Sequence, residues 1–146
     1  MTLEEELHLE RYKLVTDRQK YFTELAKDTF ISYIKVFTYL CAGAITLVSA
    51  RASLQMDVEL LLELIKAIAI LVTFLGLVSV GQIAFCLVRW YGFRIAEREI
   101  NKDCPKAEWW AWIFEGLYIF CIAISIFVAW VGSSKLGLII KALRAN

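Results

Sequence analysis

The feature that most constrains this chain is an uncharged run of 22 residues, 67–88, between Lys66 and Arg89. As an α-helix with about 1.5 Å of rise per residue, the run would be roughly 33 Å long, enough to cross the ~30 Å hydrocarbon core of a bilayer. Similar spans flank it at about 29–50 and 109–134. The sequence therefore predicts an all-α integral membrane protein with three transmembrane helices.

The composition leaves little room for a soluble domain. Of the 146 residues, 60% are hydrophobic, and the mean hydropathy is +0.61, which is too apolar for an ordinary soluble protein. Three spans absorb more than half of the chain, so no independent domain of normal size remains. We expect three regions, namely a cytoplasmic amphipathic helix at 1–28, a three-span transmembrane domain at 29–134 and an amphipathic tail at 135–146.

Lys and Arg are unevenly divided between the two sides of the predicted spans. One side holds ten, five in the N-terminal segment and five in the loop after the second span, whereas the opposite side holds five. The positive-inside rule therefore predicts a multi-pass protein with three crossings, a cytoplasmic N-terminus and a C-terminus on the opposite side. The first 28 residues are too highly charged for a cleaved signal peptide. An aromatic belt is expected at the cytoplasmic interface, formed by Trp90, Tyr91, Trp109, Trp110 and Trp112.

A single helix is predicted from about Leu3 to about Ala50, so that the cytoplasmic helix continues into the first span. Leu3, Leu14 and Leu25 recur every 11 residues, which corresponds to 3.67 residues per turn. Together with Leu7 they form an apolar row, here called the leucine row, which an isolated helix would leave in water. We expect identical helices of an oligomer, the second loop or a cytoplasmic protein partner to cover this row.

Three polar residues fall inside the predicted spans at nearly the same depth. Lys35 and Glu115 each lie six residues inside the cytoplasmic end of a span, and Gln82 lies seven. A charge at the centre of a span costs at least ~2.5–3.5 kcal/mol and normally faces protein or water. One hypothesis is a Lys35–Glu115 pair, within or between subunits, with Gln82 as a hydrogen-bonding neighbour. The alternative is that both charges snorkel to the cytoplasmic surface.

Small residues inside the spans mark points where neighbouring helices can approach closely. The candidates are Gly43 in the first span and Gly76 and Gly81 in the second. Beyond the third span, Leu136, Ile139, Ile140 and Leu143 form a stripe at helical spacing. This stripe predicts an amphipathic helix that lies on the membrane surface. A cationic tail without a function is the alternative.

No motif in the chain predicts catalysis. The only histidine, His8, lies in the charged N-terminal segment, and there is no phosphate-binding loop, nucleophile motif or His-based metal motif. The four cysteines have no CxxC spacing, which favours a packing role. Acidic residues alternate with the basic ones near the N-terminus, against nucleic-acid binding. We therefore expect a non-enzymatic protein without cofactor or metal, whose partners are lipid, further copies of itself and a cytoplasmic protein.

The stretch Arg11–Leu25, with the sequence RYKLVTDRQKYFTEL, is followed at once by a span with small residues at its centre. In this respect the first third of the chain resembles the small bacterial membrane proteins of the SLATT type. In that group a cytoplasmic helix precedes the transmembrane helices. The resemblance implies a pore-forming or membrane-disrupting effector in anti-phage defence, and it assigns no functional residue. The third span and the C-terminal tail depart from the pattern.

These patterns predict an oligomeric inner-membrane effector or sensor. Its cytoplasmic helix would take the input, and its spans would form a regulated pore or ion channel or disturb the barrier. A structural or accessory subunit that docks a partner through the cytoplasmic helix is an alternative. A small transporter that depends on Glu115 and a phage holin are two more.

Overall fold

The computed structural model describes residues 3–54, 57–100 and 112–145 and is all-α over these ranges. Its three helices are α1 (Leu3–Leu54), α2 (Val58–Ile100) and α3 (Ile113–Ala145). Each contains a stretch that is long and apolar enough to cross a membrane. The predicted all-α class with three candidate spans is confirmed at this level.

Helix α1 is continuous over 52 residues and ends four residues beyond the predicted limit near Ala50. Three acidic residues in its first turn, Glu4, Glu5 and Glu6, favour this helix start because they oppose the positive end of the helix dipole. Hydroxyl groups within the candidate span do not interrupt the helix. Thr38 and Thr46, for example, donate to the carbonyl oxygens four residues earlier, at 2.8 and 2.9 Å, which satisfies them locally.

Helix α3 continues through the serines at which the tail was predicted to begin. It runs without a break to Ala145, and the Ser134 hydroxyl donates to the carbonyl oxygen of Trp130 at 2.7 Å. Because the hydroxyl is satisfied inside the helix, it does not end the helix. The tail is thus a continuation of α3 over its described residues, and its location on a membrane surface stays a prediction.

The described chain divides into two compact units, each built from parts of all three helices. Unit 1 comprises the described residues of Met1–Phe30 and Val80–Ile119, and unit 2 those of Ile31–Ser79 and Phe120–Asn146.

Unit 1 is packed around aromatic side chains where α1 and α2 meet. The Phe22 ring is stacked with the Phe93 ring at a centroid distance of 5.9 Å and has an edge contact with Phe85 at 6.3 Å. Val15 and Ala26, which lie on either side of Phe22 in the sequence of α1, are also buried. Phe30 of α1 stacks on Tyr118 of α3 at 4.5 Å. Ring contacts therefore join the three helices within this unit.

Unit 2 has an aliphatic core in which α2 is the most enclosed helix. Leu61 and Ile65 of α2 are buried against partly buried residues of all three helices, namely Leu47, Val48, Val58, Leu62 and Leu136. Further along the same face of α2, Ala69 and Val72 are also buried. The spacing of these four buried α2 positions, four, four and three residues, is that of one helix face.

Candidate functional site

The three polar residues predicted to cluster inside the spans have different surroundings. Lys35, in unit 2, has an exposed side chain. In unit 1, Gln82 is exposed, whereas Glu115 is half-buried. No hydrogen bond joins Gln82 to Glu115 within the described part of unit 1. The Lys35–Glu115 pair is not tested by this geometry and stays a prediction.

Glu115 faces a narrow, mostly apolar cleft of unit 1. The residues that line the cleft with it are Phe22, Thr23, Ala26, Cys86, Leu87 and Trp90. Its Oε2 atom is buried and has no hydrogen-bond partner among the described residues. A buried polar oxygen without a partner costs free energy. Among the described residues, Glu115 is therefore an unsatisfied polar group in a mostly apolar part of unit 1.

A buried carboxylate that sequence reasoning missed joins α1 to α2 in unit 1. Glu97 is only 4% exposed. It accepts a hydrogen bond from Gln19 Nε2 of α1 at 2.8 Å and pairs with Arg94 Nη1 of α2 at 2.5 Å. Contacts of this kind are needed because burying a carboxylate without partners is very costly. We call these three residues the Glu97 node.

The signal that could have revealed this node is the position of Glu97 on its helix. It lies seven residues after Trp90 and four after Phe93, on the face of α2 that continues from buried Cys86 and Ile83. An acidic residue on an otherwise apolar stripe predicts a buried partner. From the sequence alone, residues 94–99 are predicted as a charged extension of the second helix, with no buried partner for Glu97.

A second unforeseen contact joins α1 to α3 within unit 2. The Tyr33 hydroxyl lies 2.6 Å from Ser125 Oγ, and both residues are buried. The Ser125 hydroxyl donates its hydrogen to the Ile122 carbonyl oxygen at 2.7 Å. Tyr33 must therefore be the donor in the Tyr33–Ser125 bond, because a serine has one hydroxyl hydrogen. The two hydroxyls are thus satisfied in an apolar environment.

The three glycines predicted to allow close packing differ in their surroundings. A Cβ at Gly76 would lie 2.7 Å from Ile126 Cδ1 and 3.2 Å from Ile122 Cγ2, so α2 and α3 approach closely there. Gly43 and Gly81 have nothing within 4 Å of the corresponding position among the described residues. Close approach within the described chain therefore occurs at Gly76 and not at the other two, which lie on open faces.

The 11-residue repeat of α1 appears in the burial pattern, but one position away from the leucine row. Val15 and Ala26 are buried, whereas the preceding Leu14 is 59% exposed and Leu25 is half-buried. One residue corresponds to a rotation of about 100° around a helix. The buried row of α1, here called the covered row, therefore contains Val15 and Ala26. Between them, Gln19 joins α1 to α2 through the Glu97 node.

The leucine row itself stays largely uncovered within the described part of the chain. Leu7 is 48% exposed, and the side chain of Leu3 lies outside the residues described. The predicted cover by an oligomer, by the second loop or by another protein is therefore not tested. Of the predicted aromatic belt, Tyr91 and Trp112 are in edge contact at 5.7 Å, and the other described member, Trp90, is half-buried.

Comparisons of the chain with protein-family models, with curated proteins and with solved structures find no match. Among the described residues, no group of three or more His, Cys, Asp or Glu side chains is placed to hold a metal ion. The polar groups that are exposed or unsatisfied within the candidate spans, among the described residues, are therefore the strongest functional candidates.

Proposed function

We propose that the protein is a non-enzymatic membrane effector or sensor that acts as an oligomer of identical chains in the bacterial inner membrane. Its N-terminal segment lies in the cytoplasm and takes the input. The candidate spans provide the output as a regulated pore or by perturbing the barrier. Anti-phage defence, the role implied by the SLATT resemblance, is the proposed biological setting.

The observation that carries this proposal is the exposed amide of Gln82. It belongs to the uncharged run 67–88 and is accessible on the surface of a candidate span. Lipid offers an amide no hydrogen-bond partner, so exposure there costs free energy. In the proposed orientation the N-terminus of α2 faces outward, so the Gln82 side chain leans toward the membrane interior and away from the nearer interface. Association with a second copy would bury the amide and supply partners.

Two charged residues favour the same conclusion. The ammonium group of Lys35 is exposed, and it forms no ion pair among the described residues. Glu115 Oε2 is buried without a hydrogen-bond partner in the same part of the chain. In the proposed oligomer, Lys35 of one subunit pairs with Glu115 of another. That contact would neutralise both charges at membrane depth, where isolated charges are costly.

The first experiment measures oligomeric state. The purified protein in mild detergent should form a defined oligomer, and Gln82→Leu should weaken it by about threefold or more, given about 0.6 kcal/mol for an average hydrogen bond between membrane helices. The matched control is Val88→Leu, which changes a side chain that is 71% exposed on the same helix. Monomers at every protein concentration would overturn the proposal, as would equal effects of the two variants.

The second experiment measures permeability in liposomes that contain the reconstituted protein. Ion flux should appear once the N-terminal segment is activated, and Gln82→Leu should reduce it in parallel with its effect on the oligomer. The absence of flux in every oligomeric state would exclude the pore version. Oligomers without flux would leave barrier perturbation, which release of a large fluorescent dye detects.

A second candidate function, an accessory subunit, is favoured by the exposed leucine row. Leu7 and Leu14 are 48% and 59% exposed in a segment otherwise rich in charge. Exposed apolar side chains in a row are typical of a binding face for a helix. Replacing both leucines with Lys should release a bound partner without impairing membrane insertion. Thr16→Lys is the matched control at an exposed position outside the row, and loss of insertion in the double variant would argue against a docking role.

A further inference from the structure

A groove lies between α2 and α3 in unit 2, away from the contacts described above. Its volume is about 320 Å³. On α2 it is lined by Leu62, Lys66 and Ile70, which are spaced four residues apart on one helix face. On α3 the lining includes Trp130 and Ser133. The walls are thus mostly apolar, with one cationic side chain.

The groove lies between two points at which α2 and α3 are in close contact. At one level, Trp130 Nε1 donates to Thr73 Oγ1 at 3.0 Å, which holds the indole ring against α2. At the other, a Cβ at Gly137 would be 3.7 Å from Leu62 Cδ2, an ordinary packing distance. The groove is therefore supported by packing on both sides.

Two of the polar side chains that line the groove, Lys66 and Ser133, are available to a ligand. Lys66 is exposed and forms no ion pair among the described residues. Ser133 makes no hydrogen bond within the same ranges, whereas the neighbouring Ser134 donates to two carbonyl oxygens of its own helix. An ammonium group and an unused hydroxyl donor thus line the same groove. This combination suits a phosphate group, which offers several acceptor oxygens and negative charge.

The position of Lys66 along α2 indicates the source of the phosphate. Lys66 immediately precedes the uncharged run 67–88, so it marks one end of the candidate span. The headgroups of a bilayer lie at that level, and each basic residue near an anionic membrane surface contributes about 1 kcal/mol to lipid attraction. Ile70 lies one turn further into the span and offers an apolar wall for a hydrocarbon chain.

We propose that this groove binds one phospholipid with a net negative headgroup. Lys66 and Ser133 contact its phosphate, and Ile70 and Trp130 contact the first part of an acyl chain. The other charged residues nearest in the chain are Glu63 on α2 and Lys135 on α3, which are exposed and do not line the groove. The site is built from the helices of a single chain, so it does not require the proposed oligomer.

Native mass spectrometry of the protein in mild detergent tests this assignment. Phosphatidylglycerol should be retained as a one-to-one adduct in preference to phosphatidylcholine with the same acyl chains. Lys66→Gln should weaken phosphatidylglycerol binding about fivefold, the factor that corresponds to one lysine at a membrane surface. The matched control, Lys135→Gln, should leave it unchanged. Equal losses in the two variants would overturn the proposal, since they would indicate attraction to surface charge in general, and so would no loss in Lys66→Gln.

A second variant tests the groove rather than the charge. Ser133→Leu should fill it and abolish retention of phosphatidylglycerol although Lys66 is present, and Ser133→Ala should weaken retention without filling the groove. Circular dichroism and gel filtration should show that these variants keep wild-type helix content and size. Retention equal to wild type in Ser133→Leu would overturn the site. Inorganic phosphate alone should leave the thermal stability unchanged, and stabilisation equal to that by phosphatidylglycerol would show that a free anion is the ligand.

Discussion

Units 1 and 2 contain parts of the same three helices, yet they are held together by different chemistry. Unit 1 contains the stacked rings of Phe22 and Phe93 and the buried Glu97 node. Unit 2 contains the close approach at Gly76 and the hydrogen bond between Tyr33 and Ser125. Unit 2 also has stacked rings, those of Tyr33 and Phe37. The difference therefore lies in the buried ion pair of unit 1 and in the close approach and neutral hydroxyls of unit 2.

Relative to the predicted spans, Phe22, Phe93 and the Glu97 node lie outside, whereas Gly76, Tyr33 and Ser125 lie inside. The difference is therefore the one expected between helix association in water and in lipid. In water, burial of large aromatic side chains is strongly favourable. In lipid that driving force is absent, and helices associate through close packing at small residues and through hydrogen bonds. The contrast therefore agrees with a location of the N-terminal segment of α1 in water. It also predicts that substitutions will act through different contacts in the two units.

The largest effect is expected at the Glu97 node. Arg94→Leu would remove the ion pair between Arg94 and the buried Glu97 carboxylate, and removing one member of a buried ion pair costs about 3 kcal/mol or more. The free energy of unfolding should fall by that amount in mixed-micelle denaturation monitored by circular dichroism. Arg98→Leu, at an exposed position on the same helix, is the control. Equal stability of the two variants would show that the node contributes little to unit 1.

Overpacking at Gly76 should have the next largest effect. Leucine at this position would collide with Ile126 and Ile122, and inserting extra atoms into a packed interface costs about 1–3 kcal/mol. Gly76→Leu should therefore destabilise the protein in the same denaturation assay. Gly81→Leu is the matched control on α2, where the space is open within the described chain. A stable Gly76→Leu protein would argue against close packing as the basis of unit 2.

The hydroxyl pair of unit 2 should respond unequally to loss of its two members. Ser125→Ala would leave the buried Tyr33 hydroxyl without its acceptor, at a cost of about 1–2 kcal/mol. Tyr33→Phe removes a donor while the Ser125 hydroxyl keeps its bond to Ile122, so a smaller loss of about 0.6 kcal/mol is expected. Tyr39→Phe, at a ring that is 75% exposed, should be neutral. The opposite order of Ser125→Ala and Tyr33→Phe would contradict the assigned donor.

The smallest effects should distinguish the covered row of α1 from the leucine row. Val15→Ala should lower the free energy of unfolding by about 1 kcal/mol, because it removes buried methyl groups. Leu14→Ala removes more atoms but at an exposed position, so its effect should stay within about 0.5 kcal/mol. The same denaturation assay measures both. A larger loss in Leu14→Ala would show that the leucine row, and not its neighbour, is the packed face in solution.

Sequence patterns predicted the helices better than their contacts. The long apolar runs and the 11-residue repeat led to an all-α chain with three candidate spans and a continuous α1. They did not predict which face of α1 is covered, because a repeat length is the same for every row on a helix. Leu14 and Val15 have the same periodicity, and only the neighbouring α2 distinguishes them.

For the polar residues, too, the sequence identified single residues better than the contacts that they form. Lys35, Gln82 and Glu115 were conspicuous because they are polar within apolar runs, and two of the three have exposed side chains. Glu97 and Arg94 were inconspicuous because they lie in a charged stretch of sequence. Their partner Gln19 is 78 residues away in the chain, and no local pattern connects residues so far apart.

The sequence by itself determined the helical class and the number of candidate membrane spans, because both depend on the length and hydropathy of continuous runs. Tertiary structure alone decided that, among the described residues, Gly76 is a point of close approach and Gly81 is not. It also decided that Tyr33 donates to Ser125 and that Lys66 faces a groove. Each of these properties depends on the atoms that a second helix brings to within a few ångströms. Such contacts arise only when distant parts of the chain pack together.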